Sequence, residues 1–240
     1  MPLSRNDLKT YSSLHRKSKR VENGIFIVEG IKTCQEAILS DLKIERLLVN
    51  EKNQDIFPDA EVISNKDAER ISNQKQHSGV IAIIKTPEQK EIIKIKNHLL
   101  VLDGINDPGN LGSIIRTMDW FGYNDIVCSI NSVDIYNPKT IMSSMGSIFR
   151  INVVYKDLNV FLKSMKEYPI IGTSLNGDSV YKHDFKTPSI LILGSESHGI
   201  SNEITGLTSN MISIPGNGNA ESLNIGHSAA IIINEMSRKN

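Results

Sequence analysis

Apolar positions along the chain follow two alternating periods, one typical of buried strands and the other of helices. Short apolar runs that predict strands lie at 24–28, 44–49, 60–63, 80–84, 99–102, 126–128, 151–155, 170–174, 190–193 and 211–214. Segments with helical spacing lie at 4–20, 31–40, 66–72, 111–121 and 222–236. Strands that alternate with helices indicate a mostly parallel sheet with helices on both faces, so the pattern predicts an α/β fold.

A charged stretch that opens with Thr86-Pro87 divides this pattern into two parts. A proline followed by mixed charges is typical of a connection between domains. We therefore predict a small amino-terminal α/β domain at 1–86, a linker at 87–97 and a larger domain at 98–240, each domain long enough for its own core.

Composition supports folded domains and excludes few functions. Apolar residues make up 39% of the chain and aromatic residues only 5%, which favours an ordinary aliphatic core over disorder. Lysine plus arginine equals aspartate plus glutamate at 27 each, so net charge does not indicate a nucleic-acid partner. The densest basic cluster is typical either of a phosphate contact or of a solvated helix face. Its members are Arg16, Lys17, Lys19 and Arg20.

Cysteine spacing and the lack of long apolar runs bear on the cellular setting. Cys34 and Cys128 lie far apart in apolar surroundings, so we expect reduced core residues and no metal site. The chain opens without the apolar segment of a signal peptide, and no apolar run approaches the length of a membrane span. These features predict a soluble, cytoplasmic protein without membrane contact.

The loop between the last predicted strand and the last predicted helix is a candidate ligand site. Residues 215–221 are small or polar and include Gly216 and Gly218, and Ser222 stands at the expected helix N-cap. Backbone N–H groups at a helix amino terminus can line a pocket, whereas the alternative is a plain turn between a core strand and a core helix. A dinucleotide-binding fingerprint is excluded, because its third glycine is missing.

A second candidate loop, 106–110, precedes a predicted helix that contains Arg116. Asn110 lies at or near the predicted N-cap, and Arg116 follows six residues later, roughly on the same side. An arginine beside a loop-rich cleft suits a phosphate, because its guanidinium can donate two parallel hydrogen bonds. The alternative is a capped helix with one exposed arginine.

A third segment, 191–200, invites a hydrolase interpretation. Ser197 stands in a Ser-x-Ser-x-Gly sequence close to the nucleophile elbow of serine hydrolases, and His227 follows later in the chain. An elbow needs a long helix directly after the serine, but Asn202 and Gly206 make the next segment a poor helix. A serine hydrolase that uses Ser197 is therefore disfavoured.

Taken together, the three segments resemble the SpoU/TrmH-type RNA ribose 2′-O-methyltransferases of the SPOUT superfamily. The matching pieces, in the usual order of that family, are Asp107-Pro108-Gly109-Asn110-x-Gly112-x-Ile114-x-Arg116-Thr117, Leu193-Gly194-x-Glu196-x-x-Gly199, and Ile214-Pro215 followed by Glu221-Ser222-Leu223-Asn224. The resemblance covers about residues 97–238. The amino-terminal part is similar to the substrate-binding domain often fused in front, whose fold some ribosomal proteins share. That likeness rests on Gly24-x-Phe26-x-Val28-Glu29-Gly30.

The resemblance implies a trefoil-knotted catalytic domain that uses S-adenosylmethionine to methylate a ribose 2′-hydroxyl in ribosomal or transfer RNA, with ribosomal RNA favoured. It also implies a homodimer formed through the carboxy-terminal domain. The alternative is a non-catalytic RNA-binding protein of the same fold. Loss of Arg116 or Glu196 would favour that alternative, and both residues are present.

Residue roles follow from the same resemblance. Arg116 is expected to orient the substrate phosphate and help to activate the hydroxyl. The polar residues expected to shape the catalytic site are Asn110, Glu196, Ser222 and Asn224. Cofactor contacts are expected at Thr173, Gly194, Ile214 and Leu223. RNA contacts are expected at Arg16, Lys17, Lys19 and Arg20.

The sequence departs from the family pattern at a few positions. Gly216 stands where the family often has methionine, and Gly226-His227 replaces small or β-branched residues in the last helix. Met142 and Asn152 stand where many members have arginine and proline, respectively.

Overall fold

The computed structural model describes residues 3–74 and 76–238, so the outermost residues of both predicted domains and Lys75 lie outside the described residues. The amino-terminal part contains α1 (Arg5–Ser13), α2 (Lys17–Asn23), β1 (Ile25–Glu29), α3 (Ile31–Ile38), β2 (Ile44–Val49), β3 (Glu61–Val62), α4 (Asn65–Ile71) and β4 (Val80–Lys85). Its four-stranded sheet has the order β1-β4-β2-β3. Strand β4 is central and buried except at Lys85, as its continuous apolar run favours.

The structure divides the predicted helix at 4–20 into α1 and α2, so that prediction is wrong. Arg20 turns back from α2 and donates hydrogen bonds to the carbonyl oxygens of Leu14 (2.7 Å) and His15 (2.9 Å), which lie between the two helices. These bonds satisfy carbonyl groups at the end of a helix that would otherwise need water or a cap, so they stabilise the break.

The larger part contains β5 (Leu99–Asp103), α5 (Pro108–Trp120), β6 (Asp125–Ser129), α6 (Pro138–Ser144), β7 (Asn152–Lys156), α7 (Leu158–Ser164), β8 (Ile170–Ser179), β9 (Ile190–Gly194), α8 (Asn202–Thr205), β10 (Asn210–Ser213) and α9 (Ile225–Arg238). Its six strands are ordered β10-β8-β9-β5-β6-β7, and all neighbouring pairs are parallel. Side chains of α5, α6 and α9 pack in one core cluster, and those of α7 and α8 pack in another. The predicted α/β fold is confirmed, whereas the knot stays a prediction.

The predicted linker packs against the larger sheet. Ile92 and Ile95 are buried in its second core cluster. The side chain of Asn152 donates to the backbone oxygen of Lys90 (3.1 Å) and to the carboxylate of Asp125 (2.9 Å). This pair of bonds explains why asparagine replaces proline at position 152, because proline has no side-chain donor.

Contacts also join the two parts of the protein. Phe26 of β1 stacks on Tyr136 with 4.3 Å between the ring centroids. Arg20 Nε donates to a carboxylate oxygen of Asp134 at 3.1 Å. The first core cluster includes buried residues of both parts. The division at 1–86, 87–97 and 98–240 therefore stays a prediction about two parts that share a packed boundary.

Both cysteines are buried and free, as expected. Burial raises the pKa of the Cys34 thiol to about 12. Among the described residues, no group of three or more histidine, cysteine, aspartate or glutamate side chains is placed to hold a metal ion. Over 3–74 and 76–238, no helix has the length and apolar character needed to cross a membrane.

Candidate active site

The carboxyl ends of the parallel strands meet at one edge of the larger sheet, where ligands of such sheets bind. Strand β5 leads there into residues 104–107, β9 leads into 195–199, and β10 leads into 214–224. The last two of these loops contain five of the predicted site residues, Glu196, Ile214, Ser222, Leu223 and Asn224. Because β9 lies directly beside β5, two of the loops are neighbours in space.

Three predicted site residues from separate segments meet at this edge. Oε1 of Glu196 accepts hydrogen bonds from Asn110 Nδ2 (3.0 Å), Asn224 Nδ2 (2.8 Å) and the backbone N–H of Ile225 (3.2 Å). Asn224 Nδ2 also lies 3.0 Å from Asn110 Oδ1. A single carboxylate oxygen thus ties together helix α5, the turn after β9 and the start of α9.

Asp107, and not Asn110, caps helix α5. The helix begins at Pro108, three residues before its predicted start, and proline is well suited to a first helical turn. Asp107 Oδ1 accepts the backbone N–H of Asn110 at 2.9 Å, which leaves the Asn110 side chain for the cluster. Lys139 Nζ lies 2.7 Å from Asp107 Oδ2, and this hydrogen bond contributes most to lowering the pKa of Asp107.

Helix α9 begins at Ile225, so the predicted N-cap at Ser222 is wrong. Asn224 is the capping residue, because its side chain accepts the Gly226 N–H at 2.9 Å and its carbonyl accepts the Ser228 N–H at 3.0 Å. Ser222 lies in the exposed loop outside the cluster. A Cβ at Gly226 would lie 2.5 Å from Ser113 Oγ of α5, which explains the glycine there. No contact among the described residues explains the other departures, Gly216, His227 and Met142.

A tight turn after β9 positions Glu196. Ser195 and Gly199 exchange backbone hydrogen bonds of 3.0 and 2.9 Å, and Gly199 has a left-handed φ of 66°. A Cβ at Gly194 would lie 2.0 Å from the carbonyl carbon of Gly199. Since backbone atoms cannot move aside cheaply, only glycine fits at position 194.

The same turn argues against the hydrolase interpretation. Ser197 Oγ does lie 2.7 Å from Nδ1 of a histidine, but this histidine is the adjacent His198 and not His227. The turn leads into α8, which is four residues long, and not into the long helix of a nucleophile elbow.

Arg116 lies on the exposed side of α5 and makes no hydrogen bond or ion pair with any described residue. It is roughly 120° around the helix from Asn110, so the predicted placement of these two residues on one side is wrong. It follows Gly112 by one turn, and Gly112 packs against α6. Because the Arg116 side chain is exposed, its charge is available to a ligand that lies across α5.

A cavity of about 140 Å³ opens beside the cluster. Its lining residues are Gly104, Ile105, Asn106, Asp107, Asn110, Ser195, Glu196, Ser197 and Ile225. Pockets that enclose a whole drug-sized ligand measure roughly 300–1,000 Å³. This cavity therefore admits one group of a larger ligand, with carboxylate and amide groups at its wall.

The predicted cofactor residues lie at the same edge of the sheet but do not line this cavity. They are Thr173 within β8, Gly194 at the end of β9, and Ile214 and Leu223 in the segment after β10. These three strands are neighbours in the sheet. Thr173 Oγ1 donates to the Ile192 carbonyl at 3.0 Å, which places it at the point where β8 stops pairing with β9.

Two leucines stand exposed near this edge of the sheet. Leu175, within β8, is 73% exposed, and Leu223, in the loop before α9, is 48% exposed. Leu175 was not among the predicted site residues, although an apolar residue directly after the predicted strand 170–174 was an available signal. Exposed apolar side chains beside accessible backbone N–H and C=O groups suit a ligand with a flat, weakly charged ring such as adenine.

The basic cluster of the amino-terminal part is not a uniform surface. Arg20 is only 4% exposed and is paired with Asp134, so its predicted RNA contact is wrong. Lys19 pairs with Glu22 at 2.5 Å. The members that are exposed and make no ion pair with described residues are Arg16 and Lys17.

Comparisons with known proteins agree with both parts of the resemblance. The SpoU rRNA methylase family model matches residues 97–234, and an MRM3-like substrate binding domain model matches residues 5–90. The chain is 29% identical to the 23S rRNA (guanosine(2553)-2′-O)-methyltransferase RlmP of Bacillus subtilis, over 94% of each chain.

Two solved structures are similar over nearly the whole length. A TrmH-family protein from Porphyromonas gingivalis is 32% identical, with 99% of each chain covered and a TM-score of 0.89. An S-adenosylmethionine-bound rRNA methyltransferase from Sinorhizobium meliloti is 25% identical, with 99% of this chain and 97% of that chain covered and a TM-score of 0.86.

Proposed function

Because the chain belongs to the SpoU rRNA methylase family, we propose that it transfers a methyl group from S-adenosylmethionine to a ribose 2′-hydroxyl of RNA in the cytoplasm, with ribosomal RNA the favoured substrate. The main structural support is the meeting of Asn110, Glu196 and Asn224 around one carboxylate oxygen. The helix that contributes Asn110 also presents Arg116, which pairs with none of the described residues.

The residues at the carboxyl edge fit the proposed cofactor. Gly194 keeps the end of β9 free of side-chain atoms, and Ile214, Leu223 and Leu175 offer apolar contact for an adenine ring. When bound, S-adenosylmethionine supplies an electrophilic methyl group on a sulfonium. Backbone groups of these loops, together with Thr173, would hold the cofactor, since a ligand of this kind needs shape and hydrogen bonds more than charged partners.

We assign Arg116 to the RNA phosphate beside the reacting ribose. A guanidinium can donate two parallel hydrogen bonds to a phosphate, which fixes the position of the neighbouring hydroxyl. Glu196 has a different role. Its Oε1 already accepts three hydrogen bonds from three separate groups of the protein, so that oxygen is occupied within the cluster. We therefore assign Glu196 to positioning Asn110, Asn224 and the start of α9.

Calorimetric titration with S-adenosylmethionine tests this proposal against its rivals. We expect saturable binding that S-adenosylhomocysteine displaces. A non-catalytic RNA-binding protein or a serine hydrolase of this fold would show no heat of binding at millimolar cofactor, and that result would reject the proposal.

We also propose that the amino-terminal domain binds RNA through Arg16 and Lys17. Replacing both with glutamine should weaken RNA binding and lower the slope of log K against log salt concentration by roughly one to two units. The reason is that each cation bound to a phosphate releases about one counterion, and the variant lacks two such cations. The measurement is RNA affinity across a series of salt concentrations. Lys19→Gln is the control, since Lys19 already pairs with Glu22, and its slope should change less. An unchanged slope in the double variant would place the RNA surface elsewhere.

A homodimer through the carboxy-terminal domain is the third part of the proposal. Half of the residues of α9 are buried within one chain, and Ala230 and Ile231 remain half-buried on its outer side. We expect sedimentation at micromolar concentration to give twice the mass of one chain, and Ile231→Glu to reduce that mass to one chain. A monomeric mass for the unaltered protein would contradict this assembly.

A further inference from the structure

Trp120 is the single tryptophan of the chain, and it is 84% exposed at the end of α5. It follows Arg116 by four residues, so the two side chains are neighbours on the helix surface. The buried side chains of α5, Leu111, Ile114, Ile115 and Met118, lie on the other side of the helix. An exposed aromatic ring thus shares one outward face with a guanidinium that makes no ion pair in the described part of the chain.

The end of this helix is held firmly. Arg150 Nε and Nη2 donate to the Asp119 carboxylate at 2.8–3.1 Å, and Arg150 Nη1 donates to Glu36 of α3 at 2.6 Å. The backbone that presents Trp120 is therefore fixed where the two parts of the protein touch. Binding to an aromatic side chain on a fixed backbone loses less conformational entropy than binding to one on a mobile loop.

We infer that Trp120 stacks on a base of the RNA substrate, one helical turn from the phosphate held by Arg116. This inference rests on the proposed function. Single-stranded RNA is commonly bound by aromatic rings that stack on bases beside cations that hold the backbone. A partner that covers Trp120 also covers Arg116 and must neutralise it. The nearby carboxylates of Asp119 and Glu36 pair with Arg150 and not with Arg116, so the partner must supply the acceptor for Arg116, which favours a phosphate over an apolar protein surface.

The single tryptophan makes the inference directly measurable. Emission from the full-length protein should be that of an exposed indole, and adding single-stranded poly(A) or deproteinised bacterial ribosomal RNA should quench it. Trp120→Ala should weaken binding of these RNAs about tenfold or more, whereas Trp120→Phe should keep most of the affinity. Val160→Ala is the matched control, because Val160 is 69% exposed on α7, whose apolar side chains pack in the other core cluster. Its RNA affinity should not change.

Three outcomes would overturn the inference. The first is RNA binding, measured by filter retention, without any quenching. The second is an equal affinity for Trp120→Ala and the unaltered protein, with both binding S-adenosylmethionine equally. The third is an indole that is shielded without RNA and becomes exposed on dilution, which would assign this face to a second copy of the chain. Failure of the proposed function is distinguishable, because it would appear as quenching by RNA without methyl transfer.

Discussion

Replacing Arg116 with alanine is expected to abolish methyl transfer to RNA and to leave affinity for S-adenosylmethionine nearly unchanged. Arg116 lies on the exposed side of α5, outside the strand ends assigned to the cofactor, and no described residue uses its charge. Its loss removes the group that fixes the phosphate beside the reacting hydroxyl, and small errors in position at a reacting centre cost about a hundredfold in rate. The measurement is methyl transfer to ribosomal RNA beside calorimetric titration of the cofactor.

Lys163→Ala is the control for this variant. Lys163 is an exposed cation on α7, a helix that packs in the other core cluster, and its removal should leave both measurements unchanged. If Arg116→Ala remains active, or if it loses the cofactor as well, then the division between a phosphate-holding helix and cofactor-holding loops is mistaken.

Replacing Leu223 with glutamate is expected to remove cofactor binding itself. Leu223 is half-exposed in the loop between β10 and α9, and this loop is assigned to the adenine. Burying a carboxylate against an apolar ring costs several kcal/mol, which corresponds to more than a hundredfold in affinity. Calorimetric titration with S-adenosylmethionine measures the loss.

Two variants control for the added charge and for the loss of leucine. Leu39→Glu places a new carboxylate on an 85% exposed leucine in the amino-terminal part and should bind the cofactor normally. Leu223→Met keeps an apolar side chain and should bind within a few-fold. Normal cofactor affinity in Leu223→Glu would show that the loop before α9 does not form the adenine pocket.

The periodic pattern was sufficient for the fold class because each strand is a short apolar run. Every predicted strand has a counterpart among β1–β10. Helix α6 was missed because its seven residues contain only two large apolar side chains, Ile141 and Met142, too few for a helical period to show. The amino-terminal starts of α5 and α9 were misplaced because Asp107 and Asn224, not Asn110 and Ser222, accept the free N–H groups of the first helical turn.

Long-range pairing decided the remaining differences. Asn110 and Glu196 are 86 residues apart, and they meet because β9 lies beside β5, an order that local pattern cannot supply. In the sequence Arg20 resembles its basic neighbours. In the structure it pairs with Asp134, which is 114 residues away, and lies at the boundary between the two parts. The motifs therefore supplied the candidate residues, and the strand order determined which of them touch.

The most direct test of the account is the chemical position of the transferred methyl group. The full-length protein should be incubated with ribosomal RNA and S-adenosylmethionine that carries a tritiated methyl group, and the RNA then digested with alkali. Alkaline cleavage requires a free 2′-hydroxyl, so a 2′-O-methylated ribose leaves the label in alkali-resistant dinucleotides, and we predict this product for the unaltered protein but not for Arg116→Ala. Label in mononucleotides, which would report methylation of a base, or no transfer to any RNA would contradict the account.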